Sequence, residues 1–294
     1  MAKIGAVRFG SFGCQLLQGD NGRVTVDRSF EVSRVAGRVV DPTGHAQRAL
    51  SFGTAAAGYQ QYRPCYPPEA IRPAVGDTHG VGGAGNLTVL DLGASTGKLT
   101  AALVENGWKV IAVEPDAAML SALRAAVPRA TALAGSAEQI PLPDASVDVI
   151  TAGQAMHWFD LDTALPEMAR VLRPAGRLAA LWNVNDVSHP FTAAFQRERD
   201  RTVRTVGGAT GRSEPTPPFT DRPEFTDPVL QSVRWQRTMT SAQLHGLLDT
   251  LSYVIAADAE SRTALHDGVN RLIAGWDGPT ELAETCQVWA AHRR

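Results

Sequence analysis

Short apolar runs alternate with amphipathic stretches through the middle of the chain, and short polar links separate them. This alternation is typical of parallel βαβ units, in which helices cover both faces of an open sheet. The sequence therefore predicts an α/β fold with a mostly parallel sheet. The predicted strands are residues 87–92, 108–113, 131–134, 147–152 and 177–183, and the predicted helices between them are residues 99–107, 116–127 and 162–172.

The flanking segments divide the chain into four parts. Residues 1–48 form an N-terminal extension without a recognisable motif, and residues 49–86 are predicted as cap helices followed by a glycine-rich loop. Residues 87–184 hold the alternating core, and residues 185–294 are predicted to complete the sheet around a helical insertion. In the flanking parts the pattern predicts helices at 49–61, 190–205, 241–256 and 261–274, strands at 229–238 and 284–292, and a flexible loop at 76–86.

Composition excludes several classes of protein. The 294 residues carry a net charge of −2, which provides no overall field for nucleic acid or an anionic membrane. No apolar stretch approaches the roughly 20 residues that a bilayer span requires. The three cysteines are few and far apart, which fits a reducing compartment rather than a disulfide framework or a zinc site. We therefore expect a cytoplasmic protein with no nucleic-acid or membrane partner and no bound metal, and composition leaves its oligomeric state open.

The segment VLDLGASTGKLT, residues 89–100, passes from a buried strand into a glycine-punctuated turn. In an open parallel sheet such a turn lies at the carboxyl ends of the strands, where ligands bind. A phosphate-binding P-loop needs four residues between its glycines and a hydroxyl residue after its lysine. Here three residues separate Gly93 from Gly97, and a leucine follows Lys98. The G-x-G-x-x-G dinucleotide pattern also fails, because Ser95 and Lys98 stand where it requires glycine.

A carboxylate at the end of the second predicted strand complements this turn. Glu114 lies 21 positions after Gly93, and a carboxylate about 20 residues beyond a glycine turn can accept hydrogen bonds from ribose hydroxyls. With Asp91 inside the first strand, the pattern predicts a nucleoside-bearing ligand without a pyrophosphate. Close approach of that ligand would account for Gly93 and Gly97. The alternatives are that the glycines allow close strand–helix packing and that Glu114 is a solvated strand end.

Four segments in order resemble the successive motifs of class I S-adenosylmethionine-dependent methyltransferases. They are VLDLGASTGKLT, VIAVEPDAAML, GSAEQIPLPDASVDVITAGQAMHWFD and VLRPAGRLAALW. They closely resemble the small-molecule branch called type 11 methyltransferases, and YQQYRPCYP resembles the cap of a subgroup with Tyr-Arg-Pro-x-Tyr-Pro. The resemblance is strong over residues 49–184. It implies S-adenosylmethionine as cofactor and a Rossmann-like, seven-stranded sheet in the order 3-2-1-4-5-7-6, with the last strand antiparallel.

The resemblance also implies a set of cofactor-binding residues. The first turn would frame the methionine part, and the carboxylate after the second strand would hold the ribose. Residues after the second and third strands would contact adenine, and two residues after the fourth would lie beside the sulfonium. The complete set is Asp91, Gly93, Ala94, Ser95, Gly97, Glu114, Pro115, Met119, Ser136, Ala137, Glu138, Gln154 and Ala155.

Two of these positions depart from the family pattern. Ser95 stands where a glycine is usual, and its side chain would crowd the turn. Ser136 stands where many relatives have an aspartate that binds the adenine amine, so its hydroxyl or the nearby backbone would have to substitute. Both departures bear on affinity for the cofactor more than on the fold.

The acceptor side is predicted from a different group of residues. His157 follows the fourth strand, where the resemblance places the reactive end of the cofactor, and it titrates near neutral pH, so it is the candidate base. The alternative is that His157 only shapes the pocket, because alignment alone supplies much of the acceleration. Arg63 would either bind a carboxylate through its planar fork or pin the cap to the core. The predicted acceptor-side residues are His157, Trp158, Tyr59, Tyr62 and Arg63, while Tyr66 and Trp182 are interpreted as packing residues.

The sequence therefore predicts a methyltransferase that acts on an oxygen, nitrogen or carboxylate of a small molecule. An amino-methylating nucleic-acid enzyme would carry an Asn- or Asp-Pro-Pro motif after the fourth strand, where this chain reads GQAM at residues 153–156. Asp160 and Asp162 are candidate magnesium ligands by residue type only, and a solvated helix start is the favoured interpretation of both. Two other functions stay open: a non-catalytic S-adenosylmethionine-binding regulatory protein and, disfavoured by the turn, a nicotinamide oxidoreductase.

Overall fold

A computed structural model describes residues 56–76, 87–205 and 219–294, with the side chains of residues 202–205 left aside. The predicted extension at 1–48, the first part of the helix predicted at 49–61, and most of the loop predicted at 76–86 lie outside the described residues. The described part of the chain forms one seven-stranded sheet with helices packed on both faces.

The sheet has the order β3-β2-β1-β4-β5-β7-β6, which confirms the predicted order. Strands β1 to β5 run parallel, and β7 is antiparallel to both of its neighbours, β5 and β6. The chain moves from β1 outward to β3 and then returns to the other side of β1 with β4, so a switch point lies between β1 and β4. The strands are β1 Thr88–Leu92, β2 Lys109–Glu114, β3 Thr131–Ala134, β4 Val147–Gly153, β5 Leu172–Asn185, β6 Val229–Thr238 and β7 Glu281–His292.

Nine α-helices surround the sheet in the described residues, and a short 3₁₀ helix, Met156–Trp158, follows β4. Helix α1 is part of the predicted cap, and α7 to α9 form the insertion between β6 and β7. The helices are α1 Ala56–Tyr62, α2 Pro68–Val75, α3 Lys98–Glu105, α4 Ala117–Ala126, α5 Leu161–Val171, α6 Pro190–Thr205, α7 Ser241–Asp249, α8 Ser252–Ile255 and α9 Ala259–Ala274. None of these helices is both long and apolar enough to cross a bilayer.

Apolar side chains on the two faces of β1 build two separate core layers. Val89 packs with the layer that holds α2 and α3. Leu90 and Leu92 point to the opposite layer, which holds α5. All five residues of β1 are buried, as expected for a central strand covered on both sides. A third cluster, around Phe191 and Phe195, joins α6 to the insertion. The core therefore fixes the position of the carboxyl end of β1, where the ligand site was predicted.

The sequence misplaced three element boundaries. The helix predicted at 241–256 is two helices, because Thr250 ends α7 and buried Leu251 takes an extended conformation before α8. Strand β7 begins at Glu281, three residues before the predicted start. Strand β5 begins at Leu172, directly after α5, and its register with β4 shifts before Arg177. Residues 173–176, with the sequence RPAG, bulge at this shift. Their proline and glycine made this segment resemble a loop in the sequence.

Two glycines, Gly97 before α3 and Gly107 after it, allow the packing contribution of a glycine to be separated from its conformational contribution. Gly97 and Gly107 both have positive φ, 89° and 88°. A Cβ at Gly97 would meet Val127 Cγ2 at 3.0 Å and Leu123 Cγ at 3.1 Å, whereas at Gly107 it would meet nothing within 4 Å. We predict that Gly107→Ala lowers the free energy of unfolding by about 1 kcal/mol, the cost of left-handed backbone alone. Gly97→Ala should cost roughly 2–4 kcal/mol, because overpacking adds to that strain.

Urea unfolding of the two variants and the unchanged protein measures both costs. Equal losses at the two positions would contradict the packing explanation for Gly97.

Candidate active site

A cleft lies at the carboxyl end of β1, at the switch point between β1 and β4. The turn after β1 forms its floor, the end of β4 forms one side, and the cap covers it. This is the position at which open α/β sheets bind ligands. The lining residues are Tyr59, Arg63, Pro64, Tyr66, Asp91, Gly93, Ala94, Ser95, Thr96, Lys98, Leu99, Gly153 and Gln154.

Backbone hydrogen bonds hold the turn against β2. The N–H groups of Gly93 and Ala94 both donate to the carbonyl of Val113, at 2.9 and 3.1 Å. Gly93 has a φ of 68°, and a Cβ there would come within 2.8 Å of the Ala155 side chain. Protein atoms thus occupy the space beside Gly93, as they do beside Gly97. Close packing within the protein therefore requires these glycines, which is the alternative that the sequence left open.

Ser95 occupies the left-handed region with a φ of 52°, which explains why a glycine would fit this position more easily. Its hydroxyl lies 3.5 Å from Met119 Sδ, and its N–H donates to Glu114 Oε2 at 2.7 Å. The serine therefore lines the cleft and is bonded on both of its polar groups. A non-glycine residue in this region costs of order 1–3 kcal/mol, and such strain is found at binding sites.

Glu114 is buried at the end of β2, so the alternative of a solvated strand end does not hold. Its Oε1 accepts the N–H of Asp116 at 2.9 Å, and its Oε2 accepts the N–H of Ser95. Asp116 in turn caps α4 by accepting the N–H groups of Ala118 and Met119. Burial raises the pKa of Glu114, and the two backbone hydrogen bonds oppose that rise. Each oxygen uses one acceptor site, so the carboxylate keeps capacity for further donors.

Asp91 is a second buried carboxyl group, only 1% exposed. Its Oδ2 accepts the Thr100 hydroxyl at 2.6 Å, while its Oδ1 has no hydrogen-bond partner within the described part of the protein. Burial raises its pKa to about 7, the Thr100 hydrogen bond opposes the rise, and the charge of Glu114 adds to it. An unpartnered buried oxygen on a cleft wall costs free energy unless a ligand donates to it. The arrangement therefore favours a ligand that carries a cation.

The cap contributes Tyr66 to the cleft, although the sequence analysis interpreted Tyr66 only as a packing residue. Tyr66 is buried, lines the cleft, and lies with its hydroxyl over Gly153. Burial raises its pKa well above 10, and neighbouring acidic groups raise it further, so it stays neutral. Arg63 lies 5.0 Å from the centre of the Tyr59 ring and donates to the Thr250 carbonyl at 2.9 Å. Arg63 therefore pins the cap to the insertion and also lines the cleft.

The predicted adenine-side residues lie around the carboxyl ends of β2 and β3. Met119 and Ala137 are buried, and Ser136 is half-buried. Glu138 accepts the N–H of Asp160 at 3.0 Å, so its carboxylate supports the start of α5. Pro115 lies between Glu114 and Asp116 in the chain, and the N–H of Asp116 donates to the Glu114 carboxylate. None of this group is among the residues lining the cleft in the described chain.

The predicted acceptor-side residues separate into two places. Gln154, which was predicted on the cofactor side beside the sulfonium, lines the cleft with a φ of 56° and donates to the Asn183 carbonyl at 3.0 Å. His157 lies on the 3₁₀ helix, is exposed, and stands 4.9 Å from Trp158 between ring centres. Tyr62 packs instead on the insertion, where its ring fills the space beside Gly246. Of the predicted acceptor-side residues that the structure describes, only Tyr59 and Arg63 line the cleft.

The two aspartates considered as magnesium ligands have structural partners. Asp160 caps α5 by accepting the N–H of Asp162 at 3.3 Å and the hydroxyl of Thr163 at 2.9 Å. Asp162 pairs with Arg222 at 2.7 Å. The helix-start interpretation therefore accounts for Asp160, and an ion pair accounts for Asp162.

A seven-stranded sheet of this order, with a ligand cleft at its switch point, has the architecture of class I methyltransferases. The methyltransferase-domain family profile of type 11 matches residues 90–180. An uncharacterized methyltransferase of Mycobacterium tuberculosis is 44% identical over 228 residues, covering 77% of this chain and 86% of that protein. An uncharacterized methyltransferase of Schizosaccharomyces pombe is 32% identical over 224 residues, covering 76% and 87%.

A solved structure agrees with these sequence relatives. It is a protein of Anaeromyxobacter dehalogenans, provisionally assigned as a type II methyltransferase, that is 30% identical and covers 79% of this chain and 98% of that one. The two structures superpose with a TM-score of 0.55. The chain belongs to the class I S-adenosylmethionine-dependent methyltransferases of type 11.

Two buried carboxyl groups of the site, those of Asp91 and Glu114, fit the cofactor of this family. Asp91 Oδ1 is buried and has no donor among the described residues, which suits the ammonium group of a methionine moiety. Glu114 has acceptor capacity left for ribose hydroxyls beyond its two backbone hydrogen bonds. Ser95, the departure that would crowd the turn, has its hydroxyl within hydrogen-bonding distance of Met119 Sδ. The Asp91 oxygen is the more specific of these features. A buried acceptor without a donor costs free energy, and a bound ammonium group would remove that cost.

Ionisation of Asp91 should make cofactor affinity depend on pH. Because its pKa in the free protein is about 7, the carboxyl is protonated at lower pH and cannot pair with an ammonium. We predict that the affinity for S-adenosylhomocysteine rises about tenfold per pH unit up to about pH 7 and then levels off. Calorimetric titrations from pH 5.5 to 8.5 measure this dependence.

The matched variant is Asp91→Asn, which keeps the shape of the side chain and cannot ionise. The part of the pH dependence that disappears in this variant reports Asp91. An affinity of the unchanged protein that stays constant over the whole range would contradict the role of Asp91 as the partner of the ammonium.

Proposed function

We propose that the protein transfers a methyl group from S-adenosylmethionine to a small-molecule acceptor. The observation that carries this proposal is the pair of buried carboxyl groups at the switch point, Asp91 with an unpartnered oxygen and Glu114 at the end of β2. Family membership supports the reaction type. The cysteine-poor composition supports a cytoplasmic location as part of the same proposal.

The protein's own groups bind and orient the cofactor and exclude water from the cleft. Asp91 would hold the ammonium group and Glu114 the ribose, while the backbone from Gly93 to Ser95 would support the methionine moiety. S-adenosylmethionine, when bound, supplies an electrophilic methyl group on a sulfonium. Tyr59 and Tyr66 cover the cleft from the cap and reduce access of water. Rigid placement of two reactants supplies much of the acceleration in such a displacement.

An acceptor that must lose a proton before methyl transfer needs a base close to it. Tyr66 has a raised pKa and stays protonated, so it would donate a hydrogen bond and not act as a base. His157 is exposed on the 3₁₀ helix, and it does not line the described cleft. We therefore assign His157 to shaping the acceptor side, and favour an acceptor atom that is already ionised or weakly basic.

The two alternative functions are weaker. A nicotinamide oxidoreductase would need a glycine-rich pyrophosphate turn, and Ser95 and Lys98 replace the glycines that such a turn requires. A non-catalytic S-adenosylmethionine-binding protein would keep the same cofactor contacts. Binding of S-adenosylhomocysteine without methyl transfer to any fraction of a metabolite pool would favour this second alternative.

Removal of the Glu114 carboxylate should weaken cofactor binding. We predict that Glu114→Ala loses about 1–3 kcal/mol of binding free energy for S-adenosylhomocysteine, because ribose hydroxyls and two backbone N–H groups lose their acceptor. Glu114→Gln should also lose affinity, since its amide N–H₂ would face a backbone N–H. Equilibrium titration measures the loss, and circular dichroism checks the fold.

Glu105→Ala is the matched control, because Glu105 is exposed at the end of α3. Its affinity should equal that of the unchanged protein. Unchanged affinity in both Glu114 variants would remove the assignment of the ribose to this carboxylate.

Two variants of His157 separate a base from a shaping residue. His157→Gln keeps a polar side chain of similar reach that cannot titrate, whereas His157→Ala removes the side chain. We predict that the Gln variant keeps turnover within about threefold and an unshifted pH–rate profile, since alignment alone can carry the reaction. The assay uses methyl-labelled cofactor and a metabolite pool. Loss of roughly 10²-fold or more in both variants, with loss of the acidic limb of the profile, would show that His157 is the base.

A further inference from the structure

A buried polar network lies beside the cofactor cleft and is not explained by the cofactor. It is built on the same carboxyl-end edge of the sheet, where β5 and β6 end and β7 begins. Glu284 stands opposite Asn185 in β5 and Trp235 in β6, and Arg237 follows Trp235 by two residues, so these side chains share one face. Helix α6 contributes Arg199 from above. We refer to Arg63, Arg199, Arg237 and Glu284 as the arginine network.

Contacts within the arginine network leave guanidinium groups only partly satisfied. Arg237 Nε lies 3.2 Å from Glu284 Oε2, and its Nη1 donates to the Tyr62 carbonyl at 3.2 Å. Arg199 Nε donates to the Tyr253 hydroxyl at 2.8 Å. Within the described chain, Arg237 Nη2 and Arg63 Nε are buried and have no acceptor. Buried guanidinium N–H groups without an acceptor are costly, so they favour an incoming oxyanion.

Positive charge is in excess at this network. The side chains of Arg237 and Glu284 are 13% and 6% exposed. The charges of all three arginines lower the pKa of Glu284. Burial raises the pKa of Glu284, and Arg237 is the main group that opposes the rise. Asp200 reaches the network through Gln196, whose amide donates to Asp200 at 2.7 Å and whose side-chain oxygen accepts from Arg199 Nη1 at 3.4 Å. Among the described residues, Glu284 is therefore the only carboxylate in direct contact with a guanidinium group of the network.

Arg63 connects this network to the cofactor cleft. It lines the cleft, and its charge also reaches Glu284. Beside the cleft, Asn183 joins β5 to the cap: its carbonyl accepts from Gln154 at 3.0 Å, and its Nδ2 donates to the Cys65 carbonyl at 3.0 Å. A methyl acceptor must lie against the cofactor, and this is the polar region next to it on the ligand side of the sheet.

We propose that the arginine network is the acceptor subsite and that the acceptor carries an oxyanion, a carboxylate or a phosphate. This inference rests on the proposed function, because it names the chemical class of the acceptor for that site. Guanidinium groups bind these oxyanions through charge-assisted, often bidentate hydrogen bonds. Glu284 holds the arginines in place while the subsite is empty and competes with the acceptor's anion for them.

The test is calorimetric titration of the protein loaded with S-adenosylhomocysteine, which occupies the cofactor site. The probes are malonate, inorganic phosphate and the uncharged malonamide, at constant ionic strength. We expect malonate or phosphate to bind, the stronger one identifying the kind of oxyanion, and malonamide to bind at least tenfold more weakly. Equal binding of malonamide and both anions, or binding of neither anion to loaded protein, would overturn the inference.

Two variants should shift the affinity of the better anion in opposite directions. Arg237→Gln should weaken it by about tenfold or more, because a charge-assisted partner is lost. Glu284→Gln should tighten it by roughly threefold or more, because a competing carboxylate is removed. Arg234→Gln is the control on the same strand, since Arg234 is 78% exposed in its side chain. Its affinity should stay within about twofold.

A merely structural ion pair would predict losses in both Arg237→Gln and Glu284→Gln. If Arg237→Gln does not fold, Glu284→Gln decides alone, and unchanged or weaker anion binding in it overturns the proposal. Failure of S-adenosylhomocysteine to bind the unchanged protein would instead overturn the proposed function. Cofactor affinity should be the same in Arg237→Gln as in the unchanged protein, because Arg237 does not line the described cleft.

Discussion

One buried carboxylate, Glu114, holds the ligand groove of this protein in shape. Its two oxygens accept the N–H groups of Ser95 and Asp116, and so join the turn after β1 to the start of α4. The Gly93 and Ala94 N–H groups reinforce this link through the carbonyl of Val113. A turn with left-handed residues at three positions is stable here because these bonds fix it. The carboxylate that shapes the groove is therefore also the group that we propose as the acceptor for the ribose hydroxyls.

Electrostatics at the groove follow from placing two carboxyl groups in a dry site. Asp91 and Glu114 are both buried and both have raised pKa values, and the charge of Glu114 adds to the rise in the pKa of Asp91. A ligand that brings a positive charge and hydroxyl donors relieves this situation. The arginine network has the opposite character, with an excess of guanidinium groups. The two regions thus differ in sign, which would orient a cationic cofactor and an anionic acceptor relative to each other.

Much of the fold could be predicted because local patterns agree with the global arrangement. The alternation through residues 87–183 predicted five parallel strands, and Gly93 with Glu114 located the switch point. The break between α7 and α8 was missed, since an apolar run that includes Leu251 reads the same in one helix or two. The roles of Tyr66 and Arg237 were missed for another reason. They depend on which distant elements pack together, and one sequence does not record that.

The most direct test of the account is a crystal structure of the protein with S-adenosylhomocysteine. The account predicts ribose hydroxyl oxygens within about 3.2 Å of the Glu114 carboxylate and the amino nitrogen within about 3.2 Å of Asp91 Oδ1. The Ser95 side chain should still face Met119 in that complex. A nucleoside bound elsewhere on the sheet, or a groove that the Ser95 hydroxyl closes, would contradict it.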